Sequence, residues 1–144
     1  MFVIIMGCGR VGARLANLLV DAGHEVLVMD MSAPAFDRLG REFPGATMVG
    51  NGIDHDDLIR AGIERADAFA AVTQGDNRNI MAAQIAKHVF KVPHVVTRIY
   101  DPIRQDTYQA LGLDAISPTV IGAQVFFSKL TGGGLTGDER QEKV

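Results

Sequence analysis

The sequence predicts an α/β fold in which a doubly wound, mainly parallel six-stranded sheet, in the order 3-2-1-4-5-6, carries helices on both faces. Short, continuously apolar runs such as Phe2-Val-Ile-Ile-Met6 alternate along the chain with segments of helical periodicity. A glycine-rich turn, Gly7-x-Gly9-x-x-Gly12, joins the first apolar run to an amphipathic segment. A second apolar run ends at an acid, Asp30. This succession of strand, glycine turn, helix, strand and acid is typical of Rossmann-like folds.

The individual elements follow from local patterns. Strands are predicted at 2–6, 26–30, 47–49, 68–72, 95–100 and 115–116, where the residues are mainly apolar. Helices are predicted at 11–22, 33–42, 56–61, 78–90, 102–111 and 118–130. Residues that favour a helix start stand at most of these N-termini, namely Ser32 with Pro34, Asp54 with Asp57, Asp76, Pro102 and Pro118. The predicted inner faces comprise Val11, Leu15, Leu18, Leu19 and Ala22 in the first helix, and Ile80, Met81, Ile85, Val89 and Phe90 in the helix 78–90.

The length and composition predict one soluble domain. With 144 residues, 47% apolar and 22% charged, the chain has the profile of a globular protein with a proper core. We place the domain at 1–130 and read 131–144 as a glycine-rich linker with a charged tail, expected to be flexible. A single cysteine excludes an intramolecular disulfide, and no apolar run reaches the roughly 20 residues of a membrane-spanning helix. We therefore expect a cytoplasmic protein without direct membrane insertion.

The net charge of −3 gives no electrostatic reason to expect a nucleic acid as partner. The four histidines show no metal-ligand spacing, so no metal site is predicted. Motifs of hydrolases, metalloproteases and P-loop proteins are absent from the sequence. We expect no catalytic residues.

The glycine turn is the strongest functional signal. Gly7 permits the tight turn, Gly9 leaves room for phosphates and Gly12 allows close packing of helix and strand. Free N–H groups at the helix start attract anions, and Arg10 is placed to reach a phosphate or to lie in solvent. The predicted cofactor-binding residues of this turn are Gly7, Cys8, Gly9, Arg10, Val11 and Gly12. For Cys8, a redox role is the alternative to a small loop residue.

Asp30 stands where the ribose of a bound nucleotide is expected. Its carboxylate accepts both ribose hydroxyls and repels a 2′-phosphate, which favours NAD or an adenosine nucleotide over NADP. Met31, the next residue, is included in the predicted site. The alternative is an ordinary aspartate at the surface end of a strand.

Further polar residues follow the other strands, at the edge of the sheet where ligands bind. Asn51-Gly52 follows the third strand and either reads the adenine edge or forms a plain turn. Thr73 and Gln74 follow the fourth strand and are predicted to contact the distal part of the ligand. Arg98, in the fifth strand, needs an anionic partner: a bound phosphate, Asp101, or an acid of another subunit.

Four segments together resemble a known family. They are Met6-Gly-Cys-Gly-Arg-Val-Gly12, Val49-Gly-Asn-Gly-Ile-Asp54, the run from Leu58 to Asp67 with Ala71-Val-Thr73, and Val96-Thr-Arg-Ile-Tyr100. The chain resembles the N-terminal (RCK/KTN, TrkA-N) nucleotide-binding domain of TrkA/KtrA-type regulators of potassium uptake. The resemblance covers roughly residues 2–128.

The resemblance implies a cytosolic regulatory subunit that binds NAD(H) or ATP/ADP and gates a membrane potassium transporter. It implies a location at the inner face of the membrane, held there by the partner. The family's nucleotide positions fall on the residues from Gly7 to Val11 and on Asp30, Thr73, Gln74 and Arg98. The loop arginine is similar to that of ATP-binding members. Homodimers or larger rings are expected, with the final helix packed between subunits.

Two other functions stay open. One is a fragment of an NAD-dependent oxidoreductase, although the chain has no residues left for a substrate domain. The other is an assembly module with a vestigial pocket. Family members usually carry a second, C-terminal ligand-binding domain, so we expect either a natural short form or a piece of a longer protein.

Overall fold

The computed structural model describes residues 1–133 and contains one parallel sheet. The strands are β1 (Phe2–Met6), β2 (Glu25–Asp30), β3 (Ala46–Val49), β4 (Ala68–Ala71), β5 (His94–Arg98) and β6 (Asp114–Ile116). Their order is β3-β2-β1-β4-β5-β6, and every neighbouring pair is parallel. The predicted fold class and strand order are confirmed.

Helices connect the strands on both faces of the sheet. They are α1 (Arg10–Asp21), a 3₁₀ helix (Ala33–Leu39), α2 (His55–Ala61), α3 (Asp76–Gln84), α4 (Pro102–Ala110) and α5 (Pro118–Thr131). A short 3₁₀ turn, Ile63–Arg65, follows α2, and a π-helical turn, Ile85–Val89, continues α3.

The strand side chains divide into two cores because successive residues point to opposite faces. Val3 and Ile5 pack with α1 and the 3₁₀ helix, and Ile4 and Met6 pack with α2 and α3. All five residues of β1 are buried, as the continuous apolar run predicts for a central parallel strand. The order of the strands reverses between β1 and β4, and ligands of such sheets bind at this point, beyond the carboxyl ends.

Two helix faces differ from the prediction. In α1 the buried residues are Gly12, Ala13 and Ala16, whereas Val11 and Leu18 are exposed. Small residues face the sheet there because helix and strand backbones approach closely. In α3 the predicted inward residue Met81 is exposed, as is Val89 in the π-helical turn, and Asn79, Ala82 and Ala83 are buried instead. Volume, and not hydrophobicity alone, decides which residues face the sheet.

The segment predicted as a helix over 33–42 is shorter and tighter. It forms the 3₁₀ helix Ala33–Leu39, with i→i+3 bonds such as Gly40 N–H to Asp37 O at 3.3 Å. Gly40 ends it with φ of +90°. Ser32 occupies the N-cap position, but its side chain forms no capping bond within residues 1–133.

The start of α3 also differs from the prediction. Gly75 occupies the N-cap position, and Asp76 is the first helical residue. The Asp76 carboxylate accepts from the N–H groups of Tyr100 at 2.6 Å and Asp101 at 3.1 Å. The prediction that Asp76 caps the helix is therefore wrong: its side chain holds the loop after β5.

Other predicted helix starts are confirmed. Asp54 caps α2 by accepting from the Asp57 N–H at 2.9 Å, and Gly62 ends that helix in the left-handed conformation. Pro102 and Pro118 open α4 and α5. Most of the linker and tail predicted at 131–144 lies outside the described residues.

Candidate functional site

The glycine turn lies where β1 ends and α1 begins. Gly7 has φ of +109°, which L side chains rarely adopt, and its N–H donates to Met29 O at 2.8 Å. A Cβ at Gly7 would lie 2.9 Å from the Thr73 nitrogen, and one at Gly12 would overlap the Gly7 carbonyl group. A Cβ at Gly9 would meet no atom of residues 1–133 within 4 Å. Packing therefore requires Gly7 and Gly12, whereas Gly9 leaves the backbone open.

The N-terminus of α1 presents N–H groups at this turn. Gly9 is the N-cap, and Ala13 N–H is the first to find a carbonyl in the helix, Gly9 O at 2.9 Å. The N–H groups of the first turn therefore remain without a partner in the helix, and no acidic residue stands in that turn. Together with the helix dipole, they form an arrangement that stabilises an anion.

Asp30 is tied to the glycine turn. One carboxylate oxygen accepts from Cys8 N–H at 2.8 Å, and the other accepts from Ser32 N–H at 2.8 Å. These bonds fix the carboxylate beside the turn, while each oxygen keeps a second lone pair for a hydroxyl donor. These bonds distinguish Asp30 from an unconstrained surface aspartate and leave it further capacity to accept hydrogen bonds beside the glycine turn.

Cys8 is a buried residue in the turn. Burial raises the pKa of its thiol, the nearby Asp30 carboxylate raises it further, and Arg38 opposes both. The thiol therefore stays protonated at neutral pH, and a protonated thiol is a poor nucleophile. These conditions favour a small loop residue over a redox cysteine.

Three arginines border the same region. Arg10 is exposed at the start of α1, and Arg38 donates from Nη1 to Cys8 O at 3.3 Å. Arg98 is half-buried, with its guanidinium carbon 5.0 Å from the centre of the Tyr100 ring. Its Nε is buried and has no hydrogen-bond partner among residues 1–133. A buried N–H donor of a charged group without an acceptor is costly, which points to an anion at this place.

Asp101 does not serve as the partner of Arg98. Its carboxylate accepts from Ile103 N–H at 3.1 Å, as the N-cap of α4, and lies 3.8 Å from Arg104. Of the three partners that the sequence leaves open for Arg98, a ligand phosphate and an acid of another subunit remain.

These groups line one cleft of about 1030 Å³, at the upper end of the range for small-molecule sites. Nine of the predicted site residues line it: Gly7, Cys8, Gly9, Arg10, Val11, Asp30, Thr73, Gln74 and Arg98. A second cavity, of about 580 Å³, shares Gln74 and Tyr100 with it and extends toward α3 and α4.

Four predicted site residues do not line the cleft as described. Gly12 lies behind Gly7, and Met31 is half exposed beside Asp30. Asn51 forms a turn, in which Oδ1 accepts from Ile53 N–H at 3.2 Å, and a Cβ at Gly52 would overlap the Met6 side chain. For Asn51 and Gly52, these contacts correspond to the plain-turn alternative.

Sequence reasoning missed seven lining residues: Ser32, Pro34, Ala35, Asp37, Arg38, Val72 and Tyr100. Five of them belong to the segment that follows β2 and contains the 3₁₀ helix. The sequence offered one signal for Arg38: it is a basic residue eight positions after Asp30, the acid at the end of β2.

Among residues 1–133, no group of three or more histidine, cysteine or acidic side chains is arranged to hold a metal ion. None of the helices in this part of the chain has the length and apolar character needed to cross a bilayer.

Comparison with known proteins gives a family match. The model of the TrkA-N domain matches residues 3–118. A Trk system potassium uptake protein TrkA from Streptomyces coelicolor is 50% identical over 117 residues, which cover 81% of this chain and 52% of that protein. The chain spans about half the length of the curated relatives it matches.

Solved structures agree in fold. The TrkA-N domain of the inner membrane protein ybaL from Escherichia coli has a TM-score of 0.79 at 18% identity, covering 90% of this chain and 96% of that one. The GsuK channel bound to NAD has a TM-score of 0.78 at 23% identity, covering 90% of this chain and 23% of that one. At these identities the similarity establishes the architecture.

Proposed function

The chain belongs to the TrkA-N domain family, and we propose that its cleft binds NAD(H) or the adenine nucleotides ATP and ADP. The observation that carries the proposal is that one cleft has an acidic acceptor at one end and a basic donor at the other. Asp30, fixed by two backbone N–H groups, offers acceptors for a ribose, and Arg98 has a buried Nε in need of an acceptor. The open backbone at Gly9 and the α1 N-terminus lie along the same cleft.

The strand order sets the length of ligand that fits. Asp30 ends β2 and Arg98 ends β5, and these strands are three spacings apart in the sheet. Three spacings amount to about 14 Å. A ligand that contacts both residues must therefore carry a sugar near one end and phosphate or a second nucleoside toward the other. ATP, ADP and NAD(H) are such ligands, and adenosine alone is too short.

We further propose that the nucleotide acts as a signal and is not turned over. The bound nucleotide would favour one arrangement of paired domains, and a membrane potassium transporter with higher affinity for that arrangement would be gated by it. Support comes from the family and from relatives named as potassium uptake proteins. The GsuK channel, a structural relative, has been solved with NAD and with ADP. In this proposal the protein is cytoplasmic and reaches the inner membrane face through the transporter.

Self-association into a homodimer or ring is part of the proposal. In α5, Ser128 is the one buried residue, while Phe126 and Phe127 are 72% and 66% exposed. Such an apolar helix face is typical of an interaction surface. Light scattering of the protein and of a Phe126→Asp variant tests this: a stable oligomer that the substitution dissociates supports it, and a monomer contradicts it.

The test of nucleotide binding is calorimetric titration with ATP, ADP, NAD and NADH at one salt concentration. Saturable binding with a preferred nucleotide supports the proposal. An absorbance change of NADH with carbonyl substrates would instead indicate an oxidoreductase. Oligomers that bind none of the four nucleotides would indicate an assembly module with a vestigial pocket.

A further inference from the structure

Asn79 is a polar side chain placed wholly inside the molecule. It lies in α3, is 0% exposed, and forms four hydrogen bonds with two residues. Oδ1 accepts from Thr73 N–H at 2.9 Å and from Thr73 Oγ1 at 2.6 Å. Nδ2 donates to Thr73 O at 2.9 Å and to Arg98 O at 3.2 Å. Two donated and two accepted bonds use the full capacity of the amide, which compensates the cost of burying it.

The side-chain hydrogen bonds of Asn79 lie just beyond the last paired residues of β4 and β5. The last paired residues of β4 and β5 are Ala71 and Thr97. Thr73 and Arg98 come after these residues, so no ladder bond fixes one against the other. The Asn79 side chain takes over this link from the neighbouring helix.

Thr73 and Arg98, to which Asn79 is hydrogen-bonded, both line the cleft, whereas Asn79 itself does not. Thr73 also lies close to the glycine turn, since a Cβ built on Gly7 would stand 2.9 Å from its nitrogen. Arg98 carries the buried Nε without a partner. A displacement of either residue by about 1 Å is enough to weaken contacts that depend on fixed geometry.

We propose that Asn79 is a positioning residue for the phosphate end of the nucleotide: it sets the separation of Thr73 and Arg98 and so tunes affinity for phosphate-bearing ligands. This inference rests on the proposed nucleotide binding. Because Asn79 acts only through these two residues, its loss affects ATP and leaves the ribose contact at Asp30 in place.

The experiment compares Asn79→Ala with Leu58→Ala by calorimetric titration with ATP and with adenosine. Leu58 is also 0% exposed, but it belongs to α2, packs in the core and does not line the cleft. It controls for loss of stability. We expect Asn79→Ala to weaken ATP binding about tenfold, equivalent to one well-placed hydrogen bond, and adenosine binding less than twofold. Leu58→Ala should change both affinities little and equally.

A double-mutant cycle adds a measurement, the coupling between Asn79 and Arg98 in ATP affinity, that a purely structural role of Asn79 would leave unchanged. In the Arg98→Ala background, Asn79→Ala should cost clearly less ATP affinity than it does alone, because one of the residues it positions is gone. Should Asn79→Ala not fold, as circular dichroism would show, Asn79→Ser replaces it. Serine keeps a polar group for Thr73 and is too short to retain all four bonds.

The outcomes separate this inference from the proposed function. If the unmodified protein binds ATP, but Asn79 variants weaken ATP and adenosine equally, the positioning role is overturned and nucleotide binding stands. Full additivity of Asn79→Ala and Arg98→Ala would also overturn it. If the unmodified protein binds no nucleotide, both the proposed function and this inference fall.

Discussion

Alanine substitutions at Gly9 and Gly12 should separate ligand binding from stability within one turn. A Cβ at Gly12 would lie 2.9 Å from the Gly7 carbonyl carbon and closer still to its oxygen, so α1 has to move. Overpacking of this kind costs about 1–3 kcal/mol, and rigid backbone atoms on both sides favour the upper end. At Gly9 the backbone has φ −84° and ψ −162°, which alanine adopts readily, and the Cβ meets open space.

The expected cost of Gly9→Ala is therefore small in the free protein. A reduced entropy of the unfolded chain favours alanine by about 0.4–1 kcal/mol, and the poorer N-cap opposes it by a similar amount. In the proposed complex with ATP, the added methyl group would hold the phosphates away from the first-turn N–H groups. The loss of one charged hydrogen bond of about 1.5–3 kcal/mol corresponds to roughly 10- to 150-fold weaker binding.

Urea denaturation and ATP titration of both variants measure the two effects. We expect Gly12→Ala to lower the free energy of unfolding by about 2–3 kcal/mol. Gly9→Ala should unfold within about 1 kcal/mol of the unmodified protein and bind ATP poorly. Unchanged ATP affinity in Gly9→Ala would refute the placement of the phosphates at this turn.

Three further predictions concern charged side chains. Asp30→Ala should weaken NAD and ATP binding together in titrations, since it removes a shared ribose contact; unchanged affinity for both contradicts the assignment. Arg10→Ala should weaken ATP more than adenosine, and equal losses would mean that Arg10 contacts no phosphate. The hydrogen bond from Arg65 holds the pKa of Glu25 below its ordinary value. The stabilisation from this pair is therefore present above the ordinary glutamate pKa and lost as pH falls through the lowered one. A carboxyl NMR titration should show a higher Glu25 pKa in Arg65→Gln, and an unchanged value would exclude the pairing in solution.

The fold was predictable because its determinants are local and consistent. Continuous apolar runs, glycine stops and capping residues such as Asp54 mark the elements, and short crossovers leave few possible strand orders. The errors in the predicted helix faces share one cause. Periodicity assigns the largest apolar residues of a helix to its inner face, but close helix–sheet contact selects small ones, so Ala16 faces inward and Leu18 outward.

The candidate site was predictable only where its residues follow strands directly. Asp30, Thr73 and Arg98 stand at or beyond carboxyl ends, and topology alone brings them to one edge. Arg38 enters the cleft from a 3₁₀ helix whose path depends on tertiary packing, and Asn79 reads in sequence as an ordinary polar residue in a helix. No local sequence pattern predicts which backbone carbonyl groups such side chains will contact.

The connection of Asp76 bears on how a ligand signal would leave the cleft. Asp76 and Asn79 stand one turn apart on α3, and together they hold Thr73, Arg98 and the two residues that precede α4. A phosphate that draws Arg98 toward itself therefore acts on a backbone already bonded to α3 and continuous with α4. The first turn of α4 carries Ile103, which is 86% exposed. Under the proposed function, a shift of Arg98 on phosphate binding would therefore be transmitted through these hydrogen bonds to the start of α4, where Ile103 is exposed.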